Sequence, residues 1–120
     1  FVPPWASVLI PPCPAGHEGA HDDACTRAFV DRSLEDEVLA PLFSPLPADY
    51  ILDVDLHYFR SARAIQPEHA RVFLRLVAGA RIITVAEEPG CVGMLRLAGE
   101  SIVSSELAHF LTNLIERAAR

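Results

Sequence analysis

The chain has 120 residues, a formal net charge of −6 and an apolar content of 51%. That length suits one domain with a modest core, and the apolar fraction excludes a disordered polypeptide. The acidic balance argues against nucleic acid or an anionic membrane surface as a partner, and no apolar run nears the roughly 20 residues that span a bilayer.

Residues 1–49 read as an irregular, proline-rich segment holding one short strand and a helix. Five of the ten prolines, from Pro3 to Pro14, flank the apolar piece Ala6-Ser-Val-Leu-Ile10, which is the candidate strand. A polar loop follows from Cys13 to Asp23. Residues 24–39 have partial helical spacing, with Ser33 ahead of Glu35, Asp36 and Glu37 reading as a helix start. Pro41, Pro45 and Pro47 then break the chain before Tyr50. The first residue is Phe1 rather than Met, so the chain is expected to be a processed or excerpted portion of something longer.

Residues 50–120 read as a βαβα unit. The run from Tyr50 to Phe59 has the composition of a buried strand. Pro67 and Glu68 are expected to open a helix whose apolar face is Phe73, Leu76, Val77 and Ala80, with Gly79 at its end. Arg81 to Ala86 reads as a second buried strand, stopped by the turn Glu87-Glu88-Pro89-Gly90. A last helix starts near Ser104, with Leu107, Phe110, Leu111, Leu114 and Ile115 forming one stripe. Strand, helix, strand implies a mainly parallel sheet flanked by helices, an α/β fold.

Asp53 and Asp55 stand two apart in the first strand and therefore share a face. Two buried carboxylates side by side require a cation, a cationic partner or a shared proton. Ligands in parallel α/β sheets bind beyond the carboxyl ends of the strands, where Glu87 and Glu88 also fall. Such oxygen-rich clusters suit hard divalent ions, and His57 adds a nitrogen donor. The plain alternative is an Asp53 satisfied by backbone amides beside solvated neighbours. His17 and His21, four apart, are a second candidate metal pair, although the glycines around them favour a solvated loop.

The segment Tyr50-Ile-Leu-Asp-Val-Asp-Leu-His-Tyr-Phe59 resembles the ILDIDLDYF-type motif of the UPF0489 family, whose members include peptide arginases. Ile82-Ile-Thr-Val-Ala-Glu-Glu-Pro-Gly-Cys91 is similar to that family's second landmark, a strand ending in Glu-Pro. Leu95-Arg-Leu-Ala-Gly-Glu100, leading into a terminal helix, is similar to its closing segment. The resemblance covers residues 50 to about 117 and implies an arginase/deacetylase-like fold with two Mn²⁺ ions. It further implies conversion of arginine, within a peptide or as a small guanidino substrate, to ornithine and urea. Asp53 and Asp55 would be metal ligands, and Glu88, with Glu87 as the alternative, would take the guanidinium. His57 stands where the family has a third acidic residue. The family's first metal motif, DxHxD, does not occur in these residues and is expected to lie before Phe1, which would make the chain a C-terminal half.

Two other readings remain. A phosphatase with a DxD nucleophile needs a downstream Lys, and the chain contains none. A partial, non-catalytic domain that binds or scaffolds a partner is the second. Phe1 and Trp5 are expected in a core or interface, and His69 and His109 on helices, at the surface or half-buried. Cys13, Cys25 and Cys91 are odd in number without CxxC spacing, which favours a reducing, cytoplasmic setting. Cys91 follows the Glu-Pro-Gly turn without an adjacent His and is expected to be a buried thiol.

Overall fold

The computed structural model describes residues 23–119. The proline-rich stretch, with its expected strand at 6–10, His17, His21, Phe1 and Trp5, lies outside the described residues. Helix α1 (Asp23–Val30) and the single turn α2 (Asp36–Leu39) precede strand β1 (Ile51–Asp55). A 3-10 turn (Leu56–Tyr58) leads away from β1 toward helix α3 (Arg71–Gly79). Strand β2 (Ile82–Ala86), helix α4 (Pro89–Leu95) and helix α5 (Ser104–Ala118) complete the chain. The expected α/β arrangement is present as a two-stranded parallel sheet with helices.

Residues of opposite periodicity meet in the core. From β1 comes Val54; from α3 come Phe73 and Val77; from α5 come Leu107, Leu111 and Leu114. Phe110 and Ile115 pack on this cluster from its edge, so the expected α5 stripe is the core-facing one. Leu56 and Phe59, just past β1, are fully buried and pin the chain where it leaves the sheet. Burying side chains of this size contributes roughly 1.5–3 kcal/mol each.

The sheet has one covered face. Leu52, Val54 and Ile83 turn toward the core, whereas Ile51 and Ile82 remain 62% and 55% exposed on the other side. Asp53 and Thr84 share that open side, so Asp53 is exposed and Asp55 is only half-buried. The expectation of a buried carboxylate pair in a buried strand is therefore corrected. Nothing among the described residues covers that face, and β2 is likewise mostly exposed. The strand also ends at Asp55 rather than Phe59, because Leu56 to Tyr58 tighten into a 3-10 turn.

Helix α3 begins at Arg71, later than the expected Pro67. The Glu35 carboxylate captures the backbone amides of Glu68 and His69 at 2.9 and 3.0 Å, holding that segment outside the helix. Ala70 precedes the helix and has no side chain with which to cap it. Asp36, from α2, substitutes: its Oδ1 accepts from the Val72 amide at 2.8 Å, while its own amide donates to the His69 carbonyl. A carboxylate there also complements the partial positive charge of the helix start.

The far end of α3 is tied as well. The Ala80 amide bonds to Val77, leaving the Leu76 carbonyl to accept from the Tyr50 hydroxyl at 2.6 Å. A Cβ at Gly79 would lie 2.7 Å from that hydroxyl oxygen, so any larger residue there would displace the Tyr50 ring from its bond to Leu76. Partial burial raises the Tyr50 pKa. Burial pushes Tyr58 up to about 12, and its hydroxyl donates to the Ser33 carbonyl at 2.9 Å.

Glu100 clamps the loop after Phe59. Its carboxylate accepts from the Ala62 amide at 2.6 Å and pairs with Arg27 of α1 at 2.9 Å. The Ala62 amide, and then Arg27, hold Glu100 below the ordinary glutamate value against the opposing effect of burial.

Two outcomes follow. Asp36→Ala removes the cap of α3 and should cost about 1 kcal/mol in chemical denaturation. Glu100 has a depressed pKa, so unfolding takes up a proton in the window between its folded value and 4.5. Its contribution is thus complete above that window and lost as the pH falls through the folded value. The slope of stability against pH in acid should flatten in Glu100→Gln, as read by urea denaturation across that range.

Candidate functional site at the carboxyl ends of the strands

The site is set by strand register. β1 and β2 pair in parallel with Asp55 beside Ala86. Two residues beyond each, the chains present His57 and Glu88, and these meet: His57 Nδ1 lies 2.8 Å from Glu88 Oε2. The contact lies off the direction in which a ring N–H donates, so it is a close polar contact and Nδ1, shielded from solvent, has no aligned hydrogen bond. On the other edge of the ring, Nε2 faces Asp55 Oδ2 at 3.9 Å. Asp55, His57 and Glu88 thus form a row across the end of the sheet.

Backbone conformation aims Glu88. It has φ 37° and ψ 64°, the left-handed region that side chains rarely adopt. The kink turns the chain from β2 directly into α4, with Pro89 in the first helical position. What reads in sequence as a terminating Glu-Glu-Pro-Gly turn is therefore the start of a seven-residue helix. Cys91 lies in its first turn, exposed rather than buried as expected, and close to Glu88 and His57. Val92, about 100° further round the short helix, is the residue that the core takes, and Cys91 is turned off that face.

The remaining candidates separate. Asp53 Oδ1 accepts from Thr84 Oγ1 at 2.7 Å, a cross-strand contact fixed by the register. Sequence reasoning missed Thr84, although pairing the two alternating strands would have placed it beside Asp53. Glu87 is exposed and is not among the residues that meet His57. His69 and His109 are both exposed; His109 is on α5 as expected, whereas His69 lies in the segment before α3 rather than on a helix.

A cleft of about 280 Å³ runs beside β1. Its walls are largely apolar, with Leu39, Phe43, Phe59 and Phe73 among them, and Asp53, Asp55, His57 and Tyr58 are also among the residues that line it. An aliphatic stem ending in a cation matches that combination. Hard carboxylate oxygens at Asp53 and Asp55 fit Mn²⁺ in kind, and they would form part of a coordination shell.

No protein-family model, curated protein or solved structure matches the chain. Among the described residues, no helix is long and apolar enough to cross a membrane.

The left-handed backbone gives a separable prediction. Both Glu88→Ala and Glu88→Gly remove the carboxylate, but only glycine relieves the backbone. The glycine variant should be more stable than the alanine variant by about 1 kcal/mol, measured by denaturant midpoint at equal slope.

Proposed function

We propose that this chain carries part of the site of a manganese-dependent hydrolase of guanidino groups, converting arginine, chiefly in peptides, to ornithine and urea. The observation that supports it is one arrangement. Carboxylates at Asp53, Asp55 and Glu88 stand at or near the carboxyl ends of two adjoining parallel strands, beside a cleft with apolar walls. The fold expected with this reading is the arginase/deacetylase type, of which the two-stranded parallel unit would be a part.

In this reading Asp53 and Asp55 would hold the manganese ions, with Thr84 fixing the Asp53 carboxylate. When bound, the ions supply a water ionised near neutral pH and stabilise charge on the reacting carbon's substituents. The apolar walls take the aliphatic stem of the arginine. Glu88 accepts paired hydrogen bonds from the guanidinium, a match that a carboxylate makes through two parallel N–H···O contacts. His57 lies between Asp55 and Glu88, next to both carboxylates.

A non-catalytic interaction module is the second reading. The exposed Ile51 and Ile82 on the open sheet face favour it.

Incubation of the full-length protein that carries these residues with an arginine-containing peptide and Mn²⁺ should release urea and lower the peptide mass by CH₂N₂, the difference between arginine and ornithine. Asp53→Asn should reduce turnover on the order of 100-fold or more, since even outer-shell partners of a metal cost 10–100-fold. Undiminished turnover in Asp53→Asn would remove that residue from the metal site. Absence of urea with every arginine peptide tried would favour the interaction module.

A further inference from the structure

We propose that His57, Glu88 and Cys91 form a binding site for a thiophilic divalent cation, zinc, with three protein ligands and one open position. One ligand atom from each residue lies within 4.8 Å of the other two. The set is nitrogen, oxygen and sulfur, a combination that zinc accepts and that manganese and magnesium, which prefer oxygen, do not.

The distances are compatible with closure. Zinc takes nitrogen and oxygen at about 2.0–2.2 Å and sulfur at about 2.3 Å, so tetrahedral neighbours are about 3.3–3.7 Å apart. The observed spread needs shifts of roughly 1 Å, within the reach of rotamer changes at exposed Glu88 and Cys91. Glu88 and Cys91 are three apart across the start of α4, which sets them on one side of the chain. His57 arrives from β1 through the same register that aligns the strands.

A second observation comes from behind the imidazole. Histidines that bind metal through one ring nitrogen commonly direct the other at a carboxylate, which fixes the tautomer and the ring plane. Asp55 Oδ2 stands 3.9 Å from Nε2, while Nδ1, shielded and without an aligned hydrogen bond, faces Glu88. With the proton on Nε2, Nδ1 is the ring atom left to bind a metal, 2.8 Å from Glu88 Oε2, and a small turn of the ring would aim its lone pair at an ion held by Glu88 and Cys91.

This site does not rest on the guanidino reading, since it needs only these three side chains and Asp55. It has a consequence for it: Glu88 cannot hold zinc and a guanidinium together, so the two ligands exclude each other.

Cobalt reports the site directly. The chain is used whole, with Cys13 and Cys25 replaced by Ser and His17 and His21 by Gln, so that Cys91 is the single thiol. Adding Co²⁺ should produce a sulfur-to-cobalt charge-transfer band with the visible bands of a tetrahedral ion, and one equivalent of Zn²⁺ should abolish both. Mn²⁺ should leave them unchanged. Asp55→Asn should keep the band while weakening cobalt binding about 10–100-fold, as expected for an outer-shell partner. Cys91→Ser should abolish the band, and with zinc it should lower affinity at least tenfold. An octahedral cobalt spectrum without the thiolate band, or zinc affinity unchanged in Cys91→Ser, would overturn the proposal. Neither readout involves turnover, so these outcomes are independent of whether the chain hydrolyses arginine.

Discussion

The arrangement at the end of the sheet depends on one constraint, the in-register parallel pairing of Ile51–Asp55 with Ile82–Ala86. Parallel strands cannot be joined by a tight turn, so the chain must travel out and return between them. Here the return path is the 3-10 turn, the loop clamped by Glu100, and α3. Each of these must be fixed for the two strand ends to finish side by side. A slip of one residue would turn every side chain of one strand to the opposite face and separate His57 from Glu88.

The clamps on that return path are carboxylates acting on backbone amides. Glu35 holds Glu68 and His69, Asp36 caps α3 at Val72, and Glu100 holds Ala62. Much of the acidic excess, which in composition suggests only a preference for cationic partners, is thus spent inside the fold. A carboxylate bonded to an amide in this way is a stronger acceptor than a neutral group, and Glu100 adds an ion pair with Arg27. Asp55 and Glu88, around the strand ends, take no part in these clamps.

The regular elements with clear periodicity could be read from the residues alone: β1, β2, the body of α3 and the whole of α5. Their boundaries were legible where the chain itself supplies the stop, as at Gly79. They were not where a distant side chain decides, since nothing near Pro67 announces that Glu35 will take the next two amides. Helix α4 escaped for a different reason. Glu-Glu-Pro-Gly has turn composition, yet proline is also favoured in the first position of a helix, and only the left-handed Glu88 distinguishes the two outcomes. Burial of the Asp53 and Asp55 face was the larger misreading. An apolar strand composition indicates two covered faces, but covering depends on elements that the strand's own residues do not specify. The meeting of His57 with Glu88 was implicit in the pairing and required only the register to become visible.

The contact between Tyr50 and Gly79 makes two positions, 29 places apart in the chain, a single unit of variation. With the hydroxyl removed, the next ring atom would stand 3.5 Å from an added Cβ, an ordinary contact. A phenylalanine at 50 would therefore admit alanine at 79, while leaving the Leu76 carbonyl without its donor. Tyrosine with glycine and phenylalanine with alanine are the compatible pairs, and the mixed pair of tyrosine with alanine is the one a lineage should avoid. Substitutions at either site should thus be found to travel together among descendants of this chain, a trace of one hydrogen bond at the end of a helix.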